Sequence, residues 1–202
     1  VVTGFLTILF IGPFARTLGE LLTGFFGFLF KTPGLKYLGA LLFGSLYAPL
    51  VITGLHHTFI AVDLQLAAST GGTFIWPMIA ISNIAQAGAV FATYFLYKSD
   101  KKQESVSMSG FVSAAFGITE PAMFGANMKY MYPFYAALIG SAVGALICTH
   151  FTVLANGIGV GGVALAWLSI KASSMGIFML ATVIAFGLAF GLTFVFNKTK
   201  LK

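Results

Sequence analysis

The sequence predicts an all-α integral membrane protein, several transmembrane helices accompanied by re-entrant hairpins, and three observations carry that prediction. Charged residues make up 8% of the chain and hydrophobic residues 58%, against roughly 25% charged in a soluble domain, and mean hydropathy is +0.97. The apolar runs are long and continuous, whereas a transmembrane β-barrel alternates in segments of about ten residues. Glycines and prolines interrupt these runs beside ionisable side chains, and irregular backbone is tolerated at membrane depth only where protein covers it or it lines a wet cavity. The 22 phenylalanines and 24 glycines fit helices that approach through small residues and present aromatics to lipid or substrate.

Val1–Phe30 is a long apolar run carrying Gly12-Pro13 and then Arg16 and Glu20, which share a helical face as a structural pair. It is expected to span with a kink. Because the run opens at Val1, not Met, and has no basic leader or cleavage site, the chain is expected to be part of a longer protein and the run not a signal peptide. After the turn Lys31–Lys36, Tyr37–Ile60 holds Pro49 and Gly54 and ends near His56-His57, a break beside polar groups. Asp63 and Gln65 follow, then the turn Ser69–Gly72, expected to be exposed or to line a cavity.

Thr73–Tyr97 is long enough for the roughly 20 residues a bilayer requires. Lys98–Ser105 reads as a hydrophilic loop, cytoplasmic by the positive-inside rule. Phe116–Pro133 reads as a broken or re-entrant hairpin, with Pro121 disfavouring helical geometry at Glu120. Pro133–Leu154 and Ala172–Phe196 are the remaining spans, and the glycines of Ala155–Leu165 make that stretch a loop or unwound segment. If Lys98–Lys102 and Lys198–Lys202 both face the cytoplasm, those two spans are the crossings between them, so Gly110–Asn127 must enter and leave from one side.

The net charge of +6 lies in lysine clusters at the ends of apolar runs, which reads as membrane orientation and not as nucleic-acid binding. Cys148 has no partner cysteine and reads as a small buried hydrophobe. No metal and no cofactor are assigned. Glu120 stands apart, because an ionisable side chain in a membrane segment costs several kcal/mol unless it meets water, a partner or a ligand.

Around it the chain offers His56, His57, Asn83, Gln86 and Asn127 in apolar context. Carboxylates and amides hold hydroxyl-rich ligands by donating and accepting at fixed positions. Asn83 and Gln86, three apart, share a helix face, and either line a pocket or join helices. Adjacent His56 and His57 project about 100° apart in a helix and cannot both line one pocket unless the helix breaks there, so one is expected to be a ligand and the other to pack. Trp76, beside Pro77 at the start of a span, reads as an interfacial anchor, and Lys129 as a snorkelling lysine.

The stretch GITEPAMFGANMKYMYPF (117–134) resembles the signature of the membrane permease component, enzyme IIC, of bacterial sugar phosphotransferase systems in the glucose superfamily. YAPLVITGLHHTFIAVDLQL (47–66), GGTFIWPMIAISNIAQ (71–86) and ANGIGVGG (155–162) agree in order, and look most like the trehalose branch, with the sucrose branch close. The resemblance implies that residues 1–202 are the C-terminal part of a IIC domain in the bacterial inner membrane. It further implies a homodimer formed through an N-terminal half outside this chain, and a IIB domain carrying the phosphoryl group on its cysteine. It implies that Glu120 hydrogen-bonds the sugar hydroxyl that receives phosphate, with His56 or His57 approaching the same region. The matching stretches make Thr119, Asn127, Asn83, Gln86, Gly72 and Thr73 substrate-binding candidates alongside Glu120.

That role is physically sufficient. Phosphoryl transfer needs an oriented hydroxyl more than covalent work by the acceptor protein, so a carboxylate that fixes or deprotonates the 6-hydroxyl of trehalose is enough. The competing class is a proton-coupled transporter that uses Glu120 and a histidine as its relay.

Overall fold

The structure is a computed structural model and describes residues 9, 12–32 and 34–199. Helices α1 (Gly12–Lys31), α2 (Lys36–Ile52), α3 (His57–Thr70) and α4 (Ile75–Leu96) lead into a helical hairpin. Its first arm is α5 (Lys101–Ala115), and its second, 120–130, widens into a π-helical turn at Met123–Asn127. Helices α6 (Tyr132–His150) and α7 (Met175–Lys198) follow, separated by an irregular stretch with 3-10 turns at Ala166–Ser169 and Ala172–Ser174. Among the described residues, Ile75–Leu96, Tyr132–His150 and Ala172–Lys198 are long and apolar enough to cross a bilayer. Helices α2 and α3 meet that test together, as a pair bent by 119°. Most of the first eleven residues, the Arg16 and Glu20 side chains with their expected pairing, and the last three residues lie outside the described residues.

Helix α4 is the centre of the bundle, with every residue from Ile75 to Val90 buried. It is surrounded because its neighbours come close through small side chains. A Cβ on Gly88 would lie 2.5 Å from the Phe186 carbonyl oxygen of α7, one on Gly140 of α6 would lie 2.6 Å from that of Ala185, and one on Gly144 would lie 2.4 Å from Ile81 Cγ2. Ala181, Ala185 and Ala189 repeat every fourth residue along the buried face of α7. Between apolar helices in apolar surroundings, such close van der Waals contact is the main attraction available. The opposite face of α7 exposes Met179, Leu180, Val183 and Val195, a surface suited to lipid.

The hairpin is longer than the sequence suggests. Lys98–Ser105 is not all loop: Asp100 caps α5, its carboxylate accepting from the Lys102 and Gln103 backbone N–H groups at 3.1 Å, and Glu104 sits in the first turn. A favourable cap outweighs the hydrophilicity that suggests a loop. The two arms are fastened by Gln103, whose Nε2 donates to the Gly125 carbonyl at 3.2 Å. Lys129 Nζ donates to Gln103 Oε1 at 2.6 Å, so this lysine ties the hairpin's base. Phe91 of α4 stacks on Phe111 of α5 at 4.3 Å.

Two further expectations are corrected. Glu120 is helical, and Pro121 stands in the first turn of the second arm, where its missing N–H has no helical acceptor to lose. Trp76 is buried, with its indole N–H donating to Ser169 Oγ at 3.0 Å, so it is a core residue and not an interfacial anchor. The break in Tyr37–Ile60 lies at Gly54, with φ of +78°, and the glycine-rich stretch after α6 stays non-helical.

Candidate functional site

Two irregular segments meet over the middle of α4. The hairpin turns at Phe116–Thr119, with Gly117 at φ +92°, a left-handed conformation that only glycine adopts without strain. The segment 154–165 clasps this tip: the Ala164 N–H donates to the Ala115 carbonyl at 3.0 Å, and a Cβ on Gly162 would lie 2.2 Å from that same oxygen. Asn83 lies beneath the clasp, since a Cβ on Gly161 would come within 2.7 Å of its Nδ2. Trp76 underlies Gly159 and Gly161 one to two turns earlier.

Glu120 opens the second arm beside this tip. Its side chain is exposed, and among the described residues its carboxylate has no hydrogen bond and no ion pair. Its charge lies within electrostatic range of His56 and Tyr47, which flank the bend between α2 and α3. The interruption lies at Gly54, ahead of the histidines: His56 has helical backbone angles and His57 opens α3. Their rings lie 4.0 Å apart, and Tyr47 meets His56 edge-on at 6.2 Å. Among the described residues His56 Nδ1 is buried without a geometric hydrogen bond; the Leu50 carbonyl beside it accepts from the His56 backbone N–H at 3.3 Å. His57 is exposed. An unpaired carboxylate, two imidazoles and a phenol are the groups that hold hydroxyls and accept their protons.

The other candidates fall into two places. Asn127 and Gln86 pair with each other in the interior, Asn127 Nδ2 donating to Gln86 Oε1 at 2.7 Å and to its carbonyl at 3.1 Å. One helical turn along the same face, Asn83 is nearer the tip, and Thr119 is buried within it. Gly72 and Thr73 sit at the root of the 154–165 segment. Thr73 exchanges backbone hydrogen bonds with Ala155 at 2.9 Å in both directions, and a Cβ on Gly72 would crowd Lys171 and the Ala155 carbonyl.

Asp63 and its hydrogen bond from the Thr73 hydroxyl are the feature that the sequence alone does not single out. The available signal is plain: Asp63 is one of five acidic residues in 202 and is fully buried. A separate cavity of about 170 Å³, lined by Phe30, Lys36, Phe74, Cys148 and Val153, contains none of the candidate residues. Among the described residues no group of three or more His, Cys, Asp and Glu is placed to hold a metal ion.

The family model described as "Phosphotransferase system, EIIC" matches residues 1–141. The sucrose-specific EIIBC component of Staphylococcus xylosus is 46% identical over 164 residues, 80% of this chain and 34% of that protein. The trehalose-specific EIIBC component of Bacillus subtilis is 42% identical over 201 residues, 99% of this chain and 42% of the relative. That of Escherichia coli is 44% identical over 181 residues, 90% and 38% respectively. The chain therefore spans about two fifths or less of these relatives. No solved structure matches it.

Proposed function

Since the chain belongs to the phosphotransferase system EIIC family, we propose that it is the sugar-binding part of a permease that takes up a disaccharide and presents a hydroxyl of it to a phosphorylated IIB domain. The observation that carries this reading is the exposed, unpaired Glu120 carboxylate at the hairpin tip, in electrostatic reach of His56. In the proposed step a lone pair of the sugar's 6-hydroxyl oxygen forms a bond to phosphorus as the bond from phosphorus to the IIB cysteine sulfur breaks. Glu120 holds that hydroxyl in line and takes its proton, and His56 or His57 supports the same oxygen. Orientation and proton transfer are the contributions such a transfer needs from an acceptor site.

The disaccharide is trehalose or sucrose. Relatives of similar identity carry both names, while AVDLQL and ANGIGVGG lean towards trehalose. In this reading the basic ends at Lys98 and Lys198 face the cytoplasm of a bacterial inner membrane, and the permease works as a homodimer. The hairpin and the 154–165 segment, irregular backbone at the middle of α4, carry the site between its two openings.

The test is sugar phosphorylation by membranes holding the full-length protein, supplied with phosphoenolpyruvate and soluble phosphocarriers, with trehalose, sucrose and glucose compared. Phosphate on trehalose alone is expected. Phosphate on sucrose moves the substrate and keeps the mechanism. Uptake without phosphate, abolished when the proton gradient is dissipated, overturns the reading in favour of a proton relay through Glu120.

A further inference from the structure

We infer that Asp63 is a positioning residue, which holds α3 in register with α4 through Thr73 and so fixes the His56–His57 pair against the hairpin tip. Its consequence for phosphoryl transfer rests on the function proposed above; the tie itself does not.

A carboxylate taken wholly out of solvent costs several kcal/mol unless hydrogen bonds satisfy it, and Asp63 is fully buried. Its Oδ1 accepts from the Thr73 hydroxyl, the Trp76 backbone N–H faces the same carboxylate, and Oδ2 has no partner among the described residues. Thr73 is itself held in place. Its hydroxyl oxygen accepts from the Ile75 N–H at 3.1 Å, and its backbone is bonded twice to Ala155. Asp63 thus joins three elements: α3, the first turn of α4 and the root of the segment that clasps the hairpin tip.

The histidines lie on the same lever. His56 has helical backbone angles, φ −58° and ψ −26°, and precedes Asp63 by seven residues, two turns along one face. Tyr47 is edge-on to His56 at 6.2 Å and within electrostatic reach of both Asp63 and Glu120. Apolar contact supports the same docking, with Phe59 of α3 edge-on to Phe43 of α2 at 5.2 Å. Such contact tolerates sliding along the helix axis, which the directional Asp63–Thr73 bond does not. Losing it frees α3 to shift, and misplacement by about 1 Å costs up to roughly a hundredfold in a reaction that depends on orientation.

The experiment uses the full-length protein with Asp63→Leu and Asp63→Asn. Leucine removes the buried charge, so the variant is expected to fold, yet it cannot accept from Thr73; asparagine keeps an acceptor oxygen. For Asp63→Leu, hydrogen exchange of the 57–70 amides should rise while that of α6 and α7 stays constant. Phosphorylation kcat should fall about tenfold at nearly unchanged KM. In a His56→Gln, His57→Gln background, Asp63→Leu should lower kcat by less than twofold, because its effect passes through those rings. Asp63→Asn should stay within about twofold of the parent in both measurements.

Unchanged exchange over 57–70 in Asp63→Leu overturns the inference. A tenfold loss that persists without the histidines also overturns it. Should Asp63→Leu not accumulate, Thr73→Val takes its place: raised exchange over 57–70 supports the tie, and unchanged exchange overturns it. Failure of the unsubstituted protein to phosphorylate any sugar counts against the proposed function alone, and exchange still decides the tie.

Discussion

Asn127 donates from one amide nitrogen to both the side-chain Oε1 and the backbone carbonyl of Gln86, at 2.7 and 3.1 Å, and both residues are buried. This pair joins the hairpin's returning arm to the middle of the central helix. The π-helical turn at Met123–Asn127 offsets the arm so that residue 127 faces α4.

Asn127→Leu should therefore strand Gln86 Oε1 in the interior. A buried polar group left unpaired costs about 1–3 kcal/mol, although hydrogen bonds between membrane helices average nearer ~0.6 kcal/mol. Burial at both ends puts this pair towards the upper range. Thermal unfolding of the detergent-solubilised protein should show a clear loss for Asn127→Leu, and a smaller loss for Asn127→Leu combined with Gln86→Leu. Equal losses would mean the bond contributes nothing beyond packing.

Gly162 tests the clasp. Any side chain there meets the Ala115 carbonyl at 2.2 Å and the Gly117 nitrogen at 2.4 Å, both backbone atoms that cannot rotate away. Gly162→Ala should lower phosphorylation at least about tenfold by displacing the tip that carries Glu120. Gly157→Ala, in the same segment with no atom of the described residues within 4 Å of the added Cβ, should stay within about twofold. Similar losses at both positions would detach the clasp from the chemistry.

The bundle itself is largely legible in the sequence. Helices α4, α6 and α7 follow from length and apolarity alone, and the bend after α2 from Gly54 among polar neighbours. What stays hidden depends on partners remote along the chain. Asn83, Gln86 and Asn127 stand out as amides in apolar context, but only the hairpin's offset shows that two of them bond to each other. Asp63 and Thr73 are ten apart across a reversal at Gly71, with φ of +68°, and no periodic pattern links residues across such a turn. The start of α5 is obscured because a run of charge reads as solvated loop, while Asp100 acts in it as a cap.

Gly88 probes the close packing that replaces hydrophobic assembly within the membrane. A Cβ there would stand 2.5 Å from the Phe186 carbonyl oxygen, so Gly88→Val must push α4 and α7 apart. Overpacking of this kind costs about 1–3 kcal/mol. Size-exclusion chromatography in detergent should show aggregation or lowered yield for Gly88→Val. Gly187→Ala, on α7 with no atom of the described residues within 4 Å of the added Cβ, should behave as the parent. A well-behaved Gly88→Val protein would show that the two helices are free to separate without loss.

Glu120→Gln separates holding a sugar from activating it. The amide keeps the size of the carboxylate and an oxygen that accepts from a hydroxyl, so binding of labelled trehalose or sucrose should change by no more than a fewfold. It is a far weaker proton acceptor, and removing a general base lowers turnover by about 10²–10⁴-fold. Since the Glu120 side chain has no hydrogen bond or ion pair among the described residues, the substitution breaks no structural contact there, and unfolding is not a competing explanation for lost turnover. Phosphorylation should collapse while equilibrium binding and the melting transition persist. Unimpaired phosphorylation by Glu120→Gln would remove the carboxylate from the mechanism and leave the histidines to orient and deprotonate the hydroxyl alone.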